Sequence, residues 1–138
     1  MTCVRQGSLV EMIDADDNVW FQDIETLSAG DTVRDPVTGY ASTVLTTLSQ
    51  ETGGMWPLVQ YMGLTCDLAQ YVHVPGRGWV MAGDVGTRSL QICPHIYAIV
   101  LSKGKMARVD GVTCCVHAPA DISSIADTAI QAGPLFFQ

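Results

Sequence analysis

Short strand-like runs separated by turn-forming residues extend over residues 1–118 and restrict what this chain can fold into. The run "GSLVEMI" alternates between two faces, and "YASTVLTTLSQ" is rich in β-branched residues; both patterns are typical of strands. The intervening "DADDN", "DPVTG" and "PGRG" favour turns. Many short strands joined by such turns predict an all-β fold.

Local patterns also predict how some strands pair. The stretch "MWPLVQYMGLTCDLAQYVHV" predicts two strands around Gly63. The stretches "HIYAIVLS" and "KMARVDGVTCCVHA" predict a hairpin across the "KG" between them. Tyr97, Ile99 and Leu101 alternate along the first of these, so we expect them in the core.

The tail, residues 119–138, has a different pattern. In "PADISSIADTAIQAG" the apolar residues have helical spacing, Asp121 can cap the helix start, and Gly133 followed by Pro134 ends it. The apolar positions are Ile122, Ile125, Ala126, Ala129 and Ile130. The sequence therefore predicts a β-domain over 1–118 and an amphipathic helical tail or flanking segment over 119–138.

The composition favours a folded domain and argues against nucleic-acid and membrane partners. The chain has 138 residues, 48% hydrophobic and 15% charged, which favours one folded domain. Its formal net charge of -7 and its seven scattered Lys and Arg residues argue against a nucleic-acid partner. No apolar run reaches the roughly 18 residues of a membrane span, so we expect no membrane partner.

The five cysteines favour reduced thiols over disulfides. Their odd number and the lack of a recognisable secretory leader argue against a disulfide framework, so we expect a reducing compartment such as the cytoplasm. Cys93 with His95, and Cys115 with His117, are candidate pairs of metal ligands. These pairs lack the spacing of structural zinc sites, so we expect no metal.

Three stretches carry a resemblance to a known family: "CVRQGSLVEMIDADDNVWFQDIETLSAGDTV", "GLTCDLAQYVHVPGRGWVMAGDVG" and "IYAIVLSKGKMARVDGVTCCVHA". In this order they resemble the opening motif, the Thr-x-x-His motif and the closing hairpin of the Hint family. That family comprises the self-processing domains of inteins, bacterial intein-like domains and hedgehog proteins. The resemblance covers about 1–118, and the first stretch is the most specific.

The resemblance implies a pseudo-two-fold all-β horseshoe whose two ends meet. It implies single-turnover autoprocessing of the chain's own flanking polypeptide, without a cofactor, through an N–S acyl shift at the Thr2–Cys3 bond. Cys3 matches the family nucleophile, and Thr65 matches the motif threonine that contacts the oxyanion or amide. His117 matches the penultimate histidine, which polarises the last peptide bond.

Departures from the family pattern fall at chemical positions. Leu68 stands where the motif histidine is expected, which makes Asp67 and His73 candidate local replacements. Ala118 stands where the family has a cyclising asparagine, and Pro119 follows it. Splicing by the usual route is therefore not expected. The alternative is a degenerate Hint-fold module that binds or supports a partner without catalysis.

Overall fold

The computed structural model describes residues 3–121, which form thirteen strands and three single 3₁₀ turns. The 3₁₀ turns are Ile24–Thr26, Ala82–Asp84 and Pro119–Asp121. The strands are β1 (Val4–Arg5), β2 (Leu9–Ile13), β3 (Val19–Asp23), β4 (Thr32–Arg34), β5 (Ala41–Glu51), β6 (Met55–Tyr61), β7 (Leu64–Asp67), β8 (Tyr71–Val74), β9 (Gly78–Met81), β10 (Thr87–Ile92), β11 (His95–Leu101), β12 (Met106–Val109) and β13 (Val112–Cys115). The predicted all-β class is confirmed.

The strands follow one hydrogen-bonded path, β10-β6-β7-β1-β11-β5-β4-β2-β12-β13-β8-β9, and β3 pairs with β2 beside it. Each pairing between these strands is antiparallel. The eleven-residue β5 joins the two halves of the path, because it pairs with β11 on one side and β4 on the other. The register shifts between Val100 and Leu101. A register shift of this kind bends the paired strands locally and increases their twist, so the sheet bends at β5 and β11.

Both faces of β11 are buried. Ile99 and Leu101 belong to the larger apolar cluster, and Tyr97 packs against it half-buried. Alternate residues of the same strand belong to a second, smaller cluster: Ile96, Ala98 and Val100. A strand covered on both sides reads as a continuous apolar run, as "IYAIVL" does. The predicted core positions are confirmed for Ile99 and Leu101, whereas Tyr97 lies at the edge of the core.

The predicted hairpin between β11 and β12 is wrong. β11 pairs with β5 and β1, whereas β12 pairs with β13. The turn of that second hairpin is Asp110–Gly111, where both residues have positive φ (48° and 80°), as the tightest hairpin turns require. The "KG" at Lys103–Gly104 instead carries the chain from one half of the sheet to the other.

The segment predicted as two strands around Gly63 forms three. Met62 and Gly63 make the expected turn between β6 and β7. β7 then stops at Asp67, because its carboxylate accepts the Ala69 N–H (2.9 Å) and its carbonyl accepts the Gln70 N–H (3.1 Å). An aspartate that bonds the backbone two residues on favours a turn over a continued strand.

The tail is described only to Asp121. Pro119–Asp121 forms a 3₁₀ turn, and the rest of the predicted helix lies outside the described residues. Within residues 3–121, no helix has the length and apolar character needed to cross a membrane.

Candidate active site

The first strand of the described chain, β1, pairs with one edge of β11. β1 runs antiparallel to β11, with Val4 opposite Tyr97. Continuing this register by one residue places Cys3 beside Ala98. The same two residues, Cys3 and Ala98, belong to the smaller apolar cluster.

The end of the β-domain occupies the next positions on β11. His117 forms a parallel bridge with Val100. The His117 N–H donates to the Ile99 carbonyl (3.0 Å), and the His117 carbonyl accepts the Leu101 N–H (2.9 Å). Two main-chain hydrogen bonds therefore fix this residue on the strand.

Cys3 and His117 are thus aligned on the same strand, although 114 positions separate them in the sequence (117 minus 3). Their partners on β11, Ala98 and Val100, are two residues apart, which corresponds to about 7 Å along a strand. The predicted meeting of the domain's two ends is found in the backbone pairing.

On the other side of β1, Cys3 has Asp67 of β7 as its neighbour. β1 also pairs with β7, with Val4 opposite Cys66, so the next position places Cys3 across from Asp67. The Asp67 N–H donates to the Cys3 carbonyl at 3.0 Å. The peptide unit that follows the cysteine is therefore held by the strand of the Thr-x-x-His-like motif.

The carboxylate of Asp67 is held in a fixed position. The indole N–H of Trp56 donates to its Oδ2 at 3.3 Å, and the Ala69 N–H donates to its Oδ1 at 2.9 Å. Burial raises the pKa of the Cys3 thiol well above its ordinary value, and the negative charge of Asp67 raises it further. At neutral pH the thiol therefore stays protonated, so an attack by its sulfur needs a base within reach.

Thr65 lies two residues before Asp67, so the same register places it across from Arg5 rather than Cys3. Its surroundings form a separate surface cavity of about 300 Å³, lined by Arg5, Gln6, Gly7, Ser8, Gly63, Thr65 and Asp110. Nothing in the strand register brings Thr65 to the sulfur of Cys3.

His73 lies on the exposed face of β8. Its ring contacts Trp79 edge-on, with the ring centroids 5.4 Å apart. It lines a surface groove with Arg108 and Tyr61, among others. The pairing of the strands therefore does not bring His73 together with Cys3.

Leu68, at the motif-histidine position, packs against the second 3₁₀ turn. Its carbonyl accepts the Gly83 N–H at 3.0 Å, and a Cβ added at Gly83 would lie only 2.8 Å from that oxygen. This contact requires glycine at 83 and fixes the turn that follows Asp67.

A buried glutamine, which the sequence analysis did not identify, joins the motif turn to the closing strand. Gln70 is 2% exposed, and its Nε2 donates to the carbonyls of Tyr71 and Cys115, each at 2.8 Å. Buried polar groups are normally paired in this way. No local sequence pattern marks the role of Gln70, because its partner Cys115 is 45 positions away.

A small internal cavity lies between these groups. Its lining includes Cys3, Gln70, Ala98, Cys115 and Val116, so it lies between the first and last strands of the domain. Its volume of about 10 Å³ gives room for about one water molecule.

The peptide after His117 is anchored by a carboxylate. The Ala118 N–H donates to Oδ2 of Asp121 at 2.8 Å, and the Lys105 ammonium lies 3.6 Å from the same oxygen. The hydrogen bond from Ala118 lowers the pKa of Asp121, and Lys105 contributes to the same direction. Ala118 itself has no side-chain amide that could attack the backbone.

The cysteines carry thiols, and four of the five, all except Cys115, are buried. Within residues 3–121, His, Cys, Asp and Glu side chains nowhere gather in a group of three or more that could hold a metal ion. The candidate ligand pairs, Cys93 with His95 and Cys115 with His117, are not part of such a group within the described residues.

Comparison with known proteins supports this architecture. No protein-family model matches the sequence, and no curated protein matches it either. Among solved structures, the chain is similar to a bacterial intein-like domain from Clostridium thermocellum, with a TM-score of 0.62, 20% identity, and coverage of 83% of this chain and 99% of that one. It is also similar to the gp41-1 intein, with a TM-score of 0.56, 11% identity, and coverage of 85% and 99%.

Both similarities extend over most of the β-domain and reproduce the fold implied by the three sequence stretches. The chain therefore has the all-β Hint fold of inteins and bacterial intein-like domains.

Proposed function

We propose that this domain processes its own flanking polypeptide, beginning with an N–S acyl shift at Cys3. The observation that carries the proposal is the alignment of Cys3 and His117 on one edge of β11. Such an alignment gives a thiol at one end of the domain and an imidazole at the other access to neighbouring peptide bonds.

In the first step the Cys3 sulfur attacks the carbonyl carbon of Thr2, which lies outside the described residues. A C–S bond forms, the C–N bond between Thr2 and Cys3 breaks, and the thiol proton ends on the released amine. The products are a thioester at Thr2 and a free amino group on Cys3. The reaction must overcome the resonance of the amide bond.

Asp67 is the proposed proton carrier of this step. It lies across from Cys3 in the β1–β7 register, and its carboxylate is positioned by Trp56 and Ala69. A carboxylate there can accept the thiol proton as the sulfur attacks and return it to the leaving amine. Thr65, across from Arg5, and His73, on the outer face, have no role in this proposal.

At the other end, His117 would polarise the peptide bond to Ala118. Since Ala118 cannot cyclise, the proposed outcome is N-terminal cleavage or transfer of the acyl group to an outside nucleophile, not splicing. No cofactor is needed for either step, because the cysteine sulfur is the nucleophile and the flanking polypeptide is the substrate.

The test is a fusion of a folded reporter ahead of Met1, incubated with dithiothreitol or hydroxylamine and followed by gel and mass spectrometry. We expect release of the reporter with a new C-terminus at Thr2. Cys3→Ala should abolish release. Cys115→Ala, which removes another thiol from the same cavity, should leave it largely intact.

Equal patterns for the original chain and Cys3→Ala, with both folded by circular dichroism, would refute autoprocessing. That result would favour the alternative, a Hint-fold module that binds or supports a partner without catalysis.

A further inference from the structure

An apolar row crosses the outer face of the four strands that end the sheet. β12 pairs with β13, β13 with β8, and β8 with β9. The pair Cys114–Val72 fixes the register of the middle two strands, so Cys115 lies across from Tyr71. The row contains one residue from each strand: Met106, Cys115, Tyr71 and Met81.

This face is open in the described part of the chain. Tyr71 and Trp79 are each 43% exposed, and Met81 is 37% exposed. A concavity of about 400 Å³, called here the outer groove, is lined by Tyr71, Trp79, Lys105, Met106 and Cys115. Clustered apolar side chains on an open sheet face favour a covering partner.

The described chain ends beside the outer groove. Asp121 lies 3.6 Å from the ammonium of Lys105, which is a lining residue of the groove. Asp121 also accepts the Ala118 N–H at 2.8 Å, so the last described residue is tied to the end of the β-domain. The tail is therefore joined to the domain at the rim of the groove.

The sequence that follows has the composition of a packing segment. Residues 122–138 number 17, of which nine are Ile, Ala, Leu or Phe, and Asp127 is the one charged side chain. Segments that stay unpacked in water are instead rich in charge and poor in apolar residues. A helix over 122–132, as the apolar spacing predicts, would be about 16 Å long, and four neighbouring strands span about 14 Å.

We propose that residues 122–138 dock on the outer groove through the apolar stripe of the tail. Ile122 and Ile125 would cover Tyr71 and Trp79, while the Lys105–Asp121 ion pair anchors the start of the segment. The domain would thereby bind its own downstream flank next to Ala118. This proposal does not depend on autoprocessing, since it concerns binding only.

The test labels the full chain with 5-fluorotryptophan and records ¹⁹F NMR spectra. Trp20, Trp56 and Trp79 give three resonances, and Trp79→Phe assigns the one at the groove. The variant Ile122→Asp/Ile125→Asp should move the Trp79 resonance and at least double its H₂O/D₂O solvent isotope shift. The other two resonances should stay in place.

The matched control is Ser124→Asp/Gln131→Asp, which adds the same charge on the side of the predicted helix opposite the apolar stripe. We expect it to leave the Trp79 resonance unchanged. A Trp79 signal that is the same in all three chains would overturn the proposal. A Trp79 shift that depends on protein concentration and not on the isoleucine pair would also overturn it, and would indicate a second copy of the chain in the groove.

Discussion

The buried thiol of Cys66 makes the stability of the fold sensitive to alkaline pH. Cys66 lies in the larger apolar cluster with no exposed surface. Burial, reinforced by the nearby Asp67 carboxylate, raises the pKa of this thiol from 9.0 to about 12. In the unfolded chain the thiol ionises near pH 9, whereas in the folded chain it keeps its proton until about pH 12.

The direction of the effect follows from proton binding. Above pH 9 the unfolded state binds fewer protons than the folded state, so the free energy of unfolding falls as pH rises. One pKa unit corresponds to about 1.36 kcal/mol. At pH 10.5, with the two pKa values above, Cys66 alone lowers the free energy of unfolding by about 2 kcal/mol relative to pH 8. This loss is a large share of a typical domain's total stability.

The assay is urea unfolding under reducing conditions, followed by circular dichroism at pH 8 and pH 10.5. Cys66→Val removes the ionisable group and keeps an apolar side chain of similar size. Its loss of stability between the two pH values should be smaller than that of the original chain by about 2 kcal/mol. Val59→Ala, at the residue paired with Cys66, should lower stability equally at both pH values. Equal pH-dependent losses in the original chain and Cys66→Val would refute the reasoning.

Three further predictions concern Gly86, the buried Gln70 and the proposed proton carrier Asp67. Gly86→Ala should lower the free energy of unfolding by about 2 kcal/mol or more in urea, because an added Cβ would lie 2.6 Å from the Gln60 carbonyl oxygen. An unchanged urea midpoint would contradict this contact. Gln70→Leu leaves the Cys115 carbonyl without its donor and should cost at least about 2 kcal/mol by the same measurement. Reporter release should rise about tenfold per pH unit between pH 7 and 9 in Asp67→Asn, where thiolate must form without a neighbouring base. The original chain should show a much smaller slope, and equal slopes would exclude Asp67 as proton carrier.

The strands could be predicted from the sequence because their signals are local. β5 is marked by a run of β-branched residues, and β11 by a continuous apolar run that suits burial on both faces. Strand partners could not be read in the same way. The apolar pattern of β11 is compatible with any neighbouring strand that covers it. The partner of β12 is set by the hairpin turn at Asp110–Gly111 and not by Lys103–Gly104.

The site could be predicted only in part. The family resemblance assigned Cys3 and His117 to one site, and the strand pairing aligns both residues on β11. It also pointed to Thr65, whereas the register places Asp67 across from Cys3. That register depends on pairing between β1 and β7, some sixty positions apart, and a shift of two residues would exchange the two side chains. No local pattern encodes such a choice.

The alignment of the domain's two ends depends on main-chain amides, and this separates architecture from chemistry. The contacts of β11 with β1 and His117 join backbone atoms, and the side chains at 68 and 118 take no part in them. Substitutions at these two positions can therefore change the chemistry while the two ends of the domain stay aligned. A scaffold of this kind tolerates exchange of its reaction, or its loss, without having to fold anew.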